Sequence, residues 1–176
     1  TSKDIGFISQ IVYGVITWRL TLDEIIKKYS KIKLKKLSPW IKNILRMGIY
    51  QIIFLSKVPK SAAVNESVNL AKKYGHKASY SFVNAILRKV ELKDYEELFT
   101  IKNDVQRISK TTSCPEWLVE KLINEHTLKE TEEICKNSNL TPQLSIRINR
   151  LKSTPEELKS EILKSNEENN KIEIKE

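Results

Sequence analysis

Apolar residues recur at three- and four-residue spacing through the first half of the chain, the period of helices that bury one face. From Asp4 to Arg19 the positions Ile5, Ile8, Ile11, Val12, Val15 and Ile16 fall on one stripe, which predicts an amphipathic helix. Thr21 and Glu24 stand at capping-box spacing ahead of Ile25 and Ile26, so a second helix is predicted from that point. Ser38 and Pro39 offer an N-cap and a first-turn proline for a third. From Trp40 to Leu55 its apolar side chains occupy most of the circumference, the pattern of a central helix. Pro59 and Ser61 open a fourth, with Val64, Val68 and Ala71 inward, Lys72 and Lys73 outward, and Gly75 placed for a left-handed cap. Ser79 to Val90 repeats the pattern through Phe82, Val83, Ile86 and Leu87. These helices, with no strand signal among them, predict an all-α bundle over residues 1–90.

The pattern then changes. Residues 91–113 mix charge with scattered apolar positions and read as a linker holding a short helix around Asp104 to Lys110. Pro115 restarts a helical stripe through Trp117, Leu118, Leu122 and Ile123, and a further helix is predicted over Lys129 to Lys136. Leu144 to Asn149 alternates apolar and polar, as does Lys171 to Lys175, and Thr154-Pro155 between them is a helix start. The expected fold is therefore mainly α: the bundle, the linker, and over residues 114–176 a helical connector followed by an incomplete β-α-β unit. Two strands and one helix are too few to bury a sheet face alone.

Charge points to a partner. Thirty-one Lys+Arg against 22 Asp+Glu give a formal +9 and a pI near 9.4, and the stretch from Glu156 to Glu176 carries seven glutamates against four lysines, so the basic excess lies before it. A polyanion is the first ligand to consider. Cys114 and Cys135 form no CxxC pair, and with two histidines they indicate neither a disulfide framework nor a metal site. A reducing cytoplasm fits. No apolar run reaches the length of a membrane span.

Candidate chemistry is sparse. The glycines, Gly6, Gly14, Gly48 and Gly75, are scattered through helical segments and form no phosphate-cradling loop. His76 and His126 lie near helix ends, where solvation or capping accounts for them. Cys114 precedes Pro115 at a helix start, where a dipole lowers a thiol pKa, yet no base adjoins it in sequence and no catalytic role is expected. The basic residues carry more. Lys33, Lys35 and Lys36 cluster before the central helix, Lys72, Lys73 and Lys77 about the end of the next, and Arg88 and Lys89 at the end of the last. Lysines at helix ends suit phosphate contacts, and Tyr29, Tyr50, Tyr74 and Tyr80, interleaved with them, are candidates for stacking on unpaired bases. Asn84 and Arg88 share a helix face, with a polar tie from Asn84 to Asn65 or Glu66 preferred over direct RNA contact.

The order of residues becomes specific from Leu45 to Arg88. Val64-Asn65-Glu66, Ala71-Lys72-Lys73-Tyr74-Gly75 and Phe82-Val83-Asn84-Ala85-Ile86-Leu87 closely resemble the NusB-like domain shared by the transcription antitermination factor NusB and the N-terminus of the RsmB (Sun/Fmu) family of small-subunit ribosomal RNA cytosine-5 methyltransferases. The flanking Val12-Tyr13-Gly14-Val15, Trp18 to Asp23, Cys114-Pro115-Glu116-Trp117-Leu118-Val119 and Arg147 to Thr154 resemble RsmB rather than the stand-alone factor, which is the alternative reading. The resemblance implies an RNA-binding N-terminal piece that helps position small-subunit ribosomal RNA. It also implies two helices ahead of the segment matching Asp4, and an S-adenosylmethionine site and two cysteine motifs beyond Glu176. Neither Cys114 nor Cys135 matches those motifs, so no catalytic or cofactor-binding residue is expected in this chain itself.

Overall fold

The computed structural model describes residues 2–140 and 147–167. They form ten α-helices, and no strand is present among the described residues. The chain divides into two compact units, Thr1–Leu140 and Thr141–Glu176.

In the first unit, α1 (Ser2–Thr17) and α2 (Arg19–Tyr29) follow almost without a break. Trp18 N–H donates to the Gly14 carbonyl and Leu22 N–H to the Trp18 carbonyl, yet the helix axes bend by 76°. This continuity overturns the expected capping box. The second helix starts at Arg19, Thr21 lies inside its first turn, and the Thr21 hydroxyl donates to the carbonyl of Lys110 at 2.7 Å instead of capping a neighbour. The apolar stripe of α1 also divides: Ile11 and Val15 pack on the core, while Ile5 and Ile8 are 68% and 59% exposed and Val12 and Ile16 also face outward. Among the described residues no single helix is long and apolar enough to cross a membrane.

A 3-10 turn, Leu34–Lys36, leads into α3 (Pro39–Phe54), whose N-terminus is closed as predicted by the Ser38 hydroxyl accepting from Ile41 N–H at 3.3 Å. Helix α3 is the centre of the bundle. Ile41, Ile44, Leu45, Ile49 and Ile53 are buried against α2, α4 (Lys60–Tyr74) and α5 (Lys77–Leu87). Gly75 is extended rather than left-handed, at φ −136°. Its missing side chain serves proximity: a Cβ there would stand 2.8 Å from the Ala71 carbonyl oxygen and 3.2 Å from Ile41 Cδ1. Gly14 likewise lets α1 settle on α3, since a Cβ would lie 2.0 Å from Tyr50 Cζ.

Residues 91–113, read from the sequence as a linker, are helical and docked. They form α6 (Lys93–Glu96), a 3-10 turn (Glu97–Thr100) and α7 (Asp104–Thr112). Their anchors are mainly polar, which is why a count of apolar positions misses them. Asp94, 1% exposed, accepts from Lys28 at 2.6 Å, from the Tyr29 hydroxyl at 2.7 Å and from Glu91 N–H at 2.8 Å. Burial pushes the Asp94 carboxyl up, but these donors outweigh burial and hold it below the usual carboxylate range. Tyr95 adds a hydroxyl bond to the Thr111 carbonyl at 3.0 Å and packs edge-on against Trp18 and Phe54, themselves stacked at 4.5 Å.

Helices α8 (Glu116–Glu125) and α9 (Leu128–Asn137) close a small second core of Ile108, Val119 and Cys135, with Leu122 and Ile123 packed on it and Trp117 pointing outward. Helix α9 opens with a capping box in which Thr127 and Glu130 satisfy each other's backbone N–H groups, a pairing the sequence reading passed over.

In the second unit α10 (Pro155–Glu167) begins at the predicted helix start, with Thr154 and Glu157 forming reciprocal cap bonds. Of the first predicted strand only residues 147–149 are described, without regular structure, and the second predicted strand lies outside the described residues.

Candidate nucleic-acid interface

The antiparallel packing of α3 and α4 brings the start of one to the end of the other. Trp40, in the first turn of α3, stacks on Tyr74, the last residue of α4, at 4.5 Å between ring centroids and 5° between planes. The pair is open to solvent, with Trp40 58% and Tyr74 41% exposed. Lys73 Nζ lies 5.3 Å from the Tyr74 ring centroid. An apolar pair left outside a core while a cation covers one ring is a surface on which a planar, electron-rich group can lie.

Beside it, α4 and α5 bound a polar groove lined by Asn65, Glu66, Asn69, Lys72, Tyr80 and Asn84. Lys72 Nζ stands 5.7 Å from the Tyr80 ring centroid. The preferred tie from Asn84 to Asn65 or Glu66 is not made: no hydrogen bond joins these side chains among the described residues, and Asn65 and Glu66 are exposed. The amides line an open groove, and no hydrogen bond engages their side chains among the described residues.

The proposed basic residues separate into two groups. Lys72, Lys73 and Lys77 are exposed around this end of α4 and α5, and Lys33, Lys35 and Lys36 are exposed in the short turn that leads into the same end of α3. Arg88 and Lys89, also exposed, lie at the far end: Lys60, the first residue of α4, donates to the Arg88 carbonyl at 2.9 Å. A helix as long as Lys60–Tyr74 spans about 22 Å. The structure thus does not bring Arg88 and Lys89 to the other cations.

Of the four candidate tyrosines, Tyr29 is held by Asp94 and Tyr50 is buried beneath Gly14, whereas Tyr74 and Tyr80 remain accessible. Trp40 was passed over as a stacking residue because it belongs to the apolar run of α3. The available signal was its place directly after Ser38-Pro39, since a side chain in a first turn has no preceding turn to pack on.

Cys114 packs against Cys135, and burial together with that neighbouring thiol pushes the Cys114 thiol up to about 12. The opposite of dipole activation results. His76 and His126 flank helices as expected, and among the described residues no cluster of three or more His, Cys, Asp or Glu is arranged to hold a metal ion.

Residues 1–92 match the NusB family, and residues 114–173 match the Methyltr_RsmF/B-like ferredoxin-like domain. The chain is 34% identical over 153 residues to the probable ribosomal RNA small subunit methyltransferase B of Bacillus subtilis (strain 168), covering 87% of the chain and 34% of that protein. It is 32% identical over 163 residues to the protein of the same description from Synechocystis sp., covering 93% of the chain and 36% of that protein. The transcription antitermination protein NusB of Ruminiclostridium cellulolyticum is 42% identical over 95 residues, 53% of the chain and 66% of that protein. The chain spans about a third of the length of the two methyltransferases. No solved structure matches it.

Proposed function

The chain belongs to the NusB family, and from that premise we propose that its helical bundle holds small-subunit ribosomal RNA for a cytosine-5 methyltransferase of which this chain is the N-terminal part. The observation that carries the reading is the exposed Trp40–Tyr74 stack with Lys73 over one ring, beside the Asn-lined groove capped by Lys72. Such a surface takes an unpaired base by stacking and its flanking phosphates by charge, leaving hydrogen-bonding edges to the amides. The match over residues 114–173 supports the methyltransferase rather than a stand-alone antitermination factor, because the NusB relative accounts for about half of the chain.

S-adenosylmethionine supplies the methyl group in such a reaction. Among the described residues Gly14 and Gly48 lie in helices against Tyr50 and Leu87 and Gly75 is packed against Ala71 and Ile41, so these three glycines offer no phosphate-cradling loop to it. This chain contributes position instead, since RNA held beside a remote active centre reacts as if at high local concentration. The work is cytoplasmic, where the free Cys114 and Cys135 stay reduced.

Fluorescence anisotropy with labelled small-subunit ribosomal RNA segments tests the reading. Binding is expected to weaken as salt rises, and Lys72→Gln/Lys73→Gln/Lys77→Gln to weaken it further while leaving Tm unchanged. Absence of RNA binding by the unaltered chain at low salt overturns it.

A further inference from the structure

Helices α2, α3 and α7, the Leu34–Lys36 turn and the start of α8 enclose an open groove on the first unit. Six cationic side chains line it, Lys27, Lys33, Lys35, Lys42, Arg46 and Lys110, against three carboxylates, Asp23, Glu24 and Glu116. Half of the cations are already engaged. Arg46 forks onto Asp23 through Nε and Nη2, both at 2.7 Å, and Glu24 holds Lys27 at 3.0 Å and Lys110 at 3.1 Å. Lys33, Lys35 and Lys42 have no carboxylate partner among the described residues, and Lys42 is half-buried nonetheless. A half-buried lysine with no carboxylate partner among the described residues can take its counterion from outside.

We propose that this groove is a second RNA contact, a track for the phosphates of a single strand held by Lys33, Lys35 and Lys42. It rests on the reading of the bundle as an RNA holder and adds a site to it. The lysines sit on two separate segments, the turn and the first turn of α3, which suits successive phosphates better than one bound anion. Leu20, Leu34 and Pro115 supply an apolar side against which ribose can lie. Trp40 and Lys42 are two apart on α3 and so point to different sides of the helix. A strand stacked at Trp40 reaches the groove by passing the N-terminus of α3, where Lys35 and Lys36 stand. The α7 wall is fixed in place by the Thr21–Lys110 bond and by Ser113, in left-handed conformation at φ 59°, whose hydroxyl accepts from Leu20 N–H at 2.8 Å. That wall lies outside residues 1–92, so the track belongs to the longer architecture rather than to the NusB-like part alone.

The test compares two triple variants of the whole chain with equal loss of charge, Lys33→Gln/Lys35→Gln/Lys42→Gln in the groove and Lys57→Gln/Lys102→Gln/Lys129→Gln elsewhere on the surface. Anisotropy titrations with labelled oligouridine across a salt series give the slope of log affinity on log salt. The groove triple is expected to flatten it by about two units, at roughly 0.7 per phosphate contact, and the control to leave it unchanged. If the groove triple loses stability, the exposed Lys35→Gln alone is expected to flatten the slope by about 0.7. Equal slopes for the two triples overturn the track. Should the unaltered chain bind RNA through Trp40 while the groove variants match it, the track fails and the RNA reading stands; no RNA binding at all removes both. Capture of oligoglutamate, but not oligouridine, through these lysines overturns the track in favour of an acidic peptide.

Discussion

Trp40 and Tyr74 lie face to face at 4.5 Å, one opening α3 and the other closing α4, and both remain open to solvent. Because the pair contributes little to the core, Trp40→Ala is expected to lower RNA affinity by roughly 1–3 kcal/mol while shifting Tm little. Anisotropy and thermal melting on the same samples separate the two effects. A large loss of Tm with affinity unchanged would make the pair a packing feature.

Asp94 and Tyr29 give a pH signature. The fold favours the ionised Asp94, so its contribution is complete above the carboxylate range of an unfolded chain and disappears as pH falls through its lowered native value. For Tyr29, burial and the Asp94 hydrogen bond push the phenol up to about 12. The fold favours its neutral form, so that contribution is complete below about pH 10 and is lost as pH rises through about 12. Asp94→Ala, which removes the acceptor of the half-buried Tyr29 hydroxyl and the partner of Lys28, should cost about 1–3 kcal/mol near neutral pH and flatten the acid limb of a urea-denaturation series. An unaltered acid limb would show that other carboxylates set it.

Gly14→Ala should destabilise by about 1–3 kcal/mol, because the added methyl would enter the ring of Tyr50, buried beneath it. Removing only the Tyr50 hydroxyl cannot relieve the clash, since Cζ itself is the nearest atom. Tyr50→Leu in the Gly14→Ala background should recover part of the loss in a double-mutant cycle, and additivity of the two changes would sink this account.

Cys114 should alkylate slowly. With its thiol raised to about 12, the thiolate fraction at pH 8 is far below that of an unfolded cysteine. Iodoacetamide labelling followed by mass spectrometry, with and without denaturant, measures the contrast; labelling at the unfolded rate in the native chain would refute the burial argument.

The helices were legible because their signals are local. Periodicity through α3, the Ser38-Pro39 start and the outward Lys72 and Lys73 depend on residues within a few positions of one another. What sequence could not supply was the use made of a residue by a distant one. Thr21 and Glu24 match a cap motif, but Lys110 claims both, the hydroxyl through its carbonyl and the carboxylate through its ammonium. The stripe of α1 says that the helix has an apolar side, not which part of that side α3 will cover. For the interface, lysine clusters were readable as clusters, whereas their division between opposite ends of α4 follows from antiparallel packing alone.

The Asp94 hub lies just past residue 92, where the match to NusB ends, while its donors Lys28 and Tyr29 lie well inside it. A segment ending at residue 92 would therefore leave the half-buried Tyr29 phenol without its acceptor and take one wall from the groove. The stretch that matches NusB and the compact unit that holds it have different edges in this chain. In this chain the stretch that follows the NusB match serves as a foundation of the bundle, and a cut at residue 92 would part Lys28 and Tyr29 from the carboxylate that ties them down.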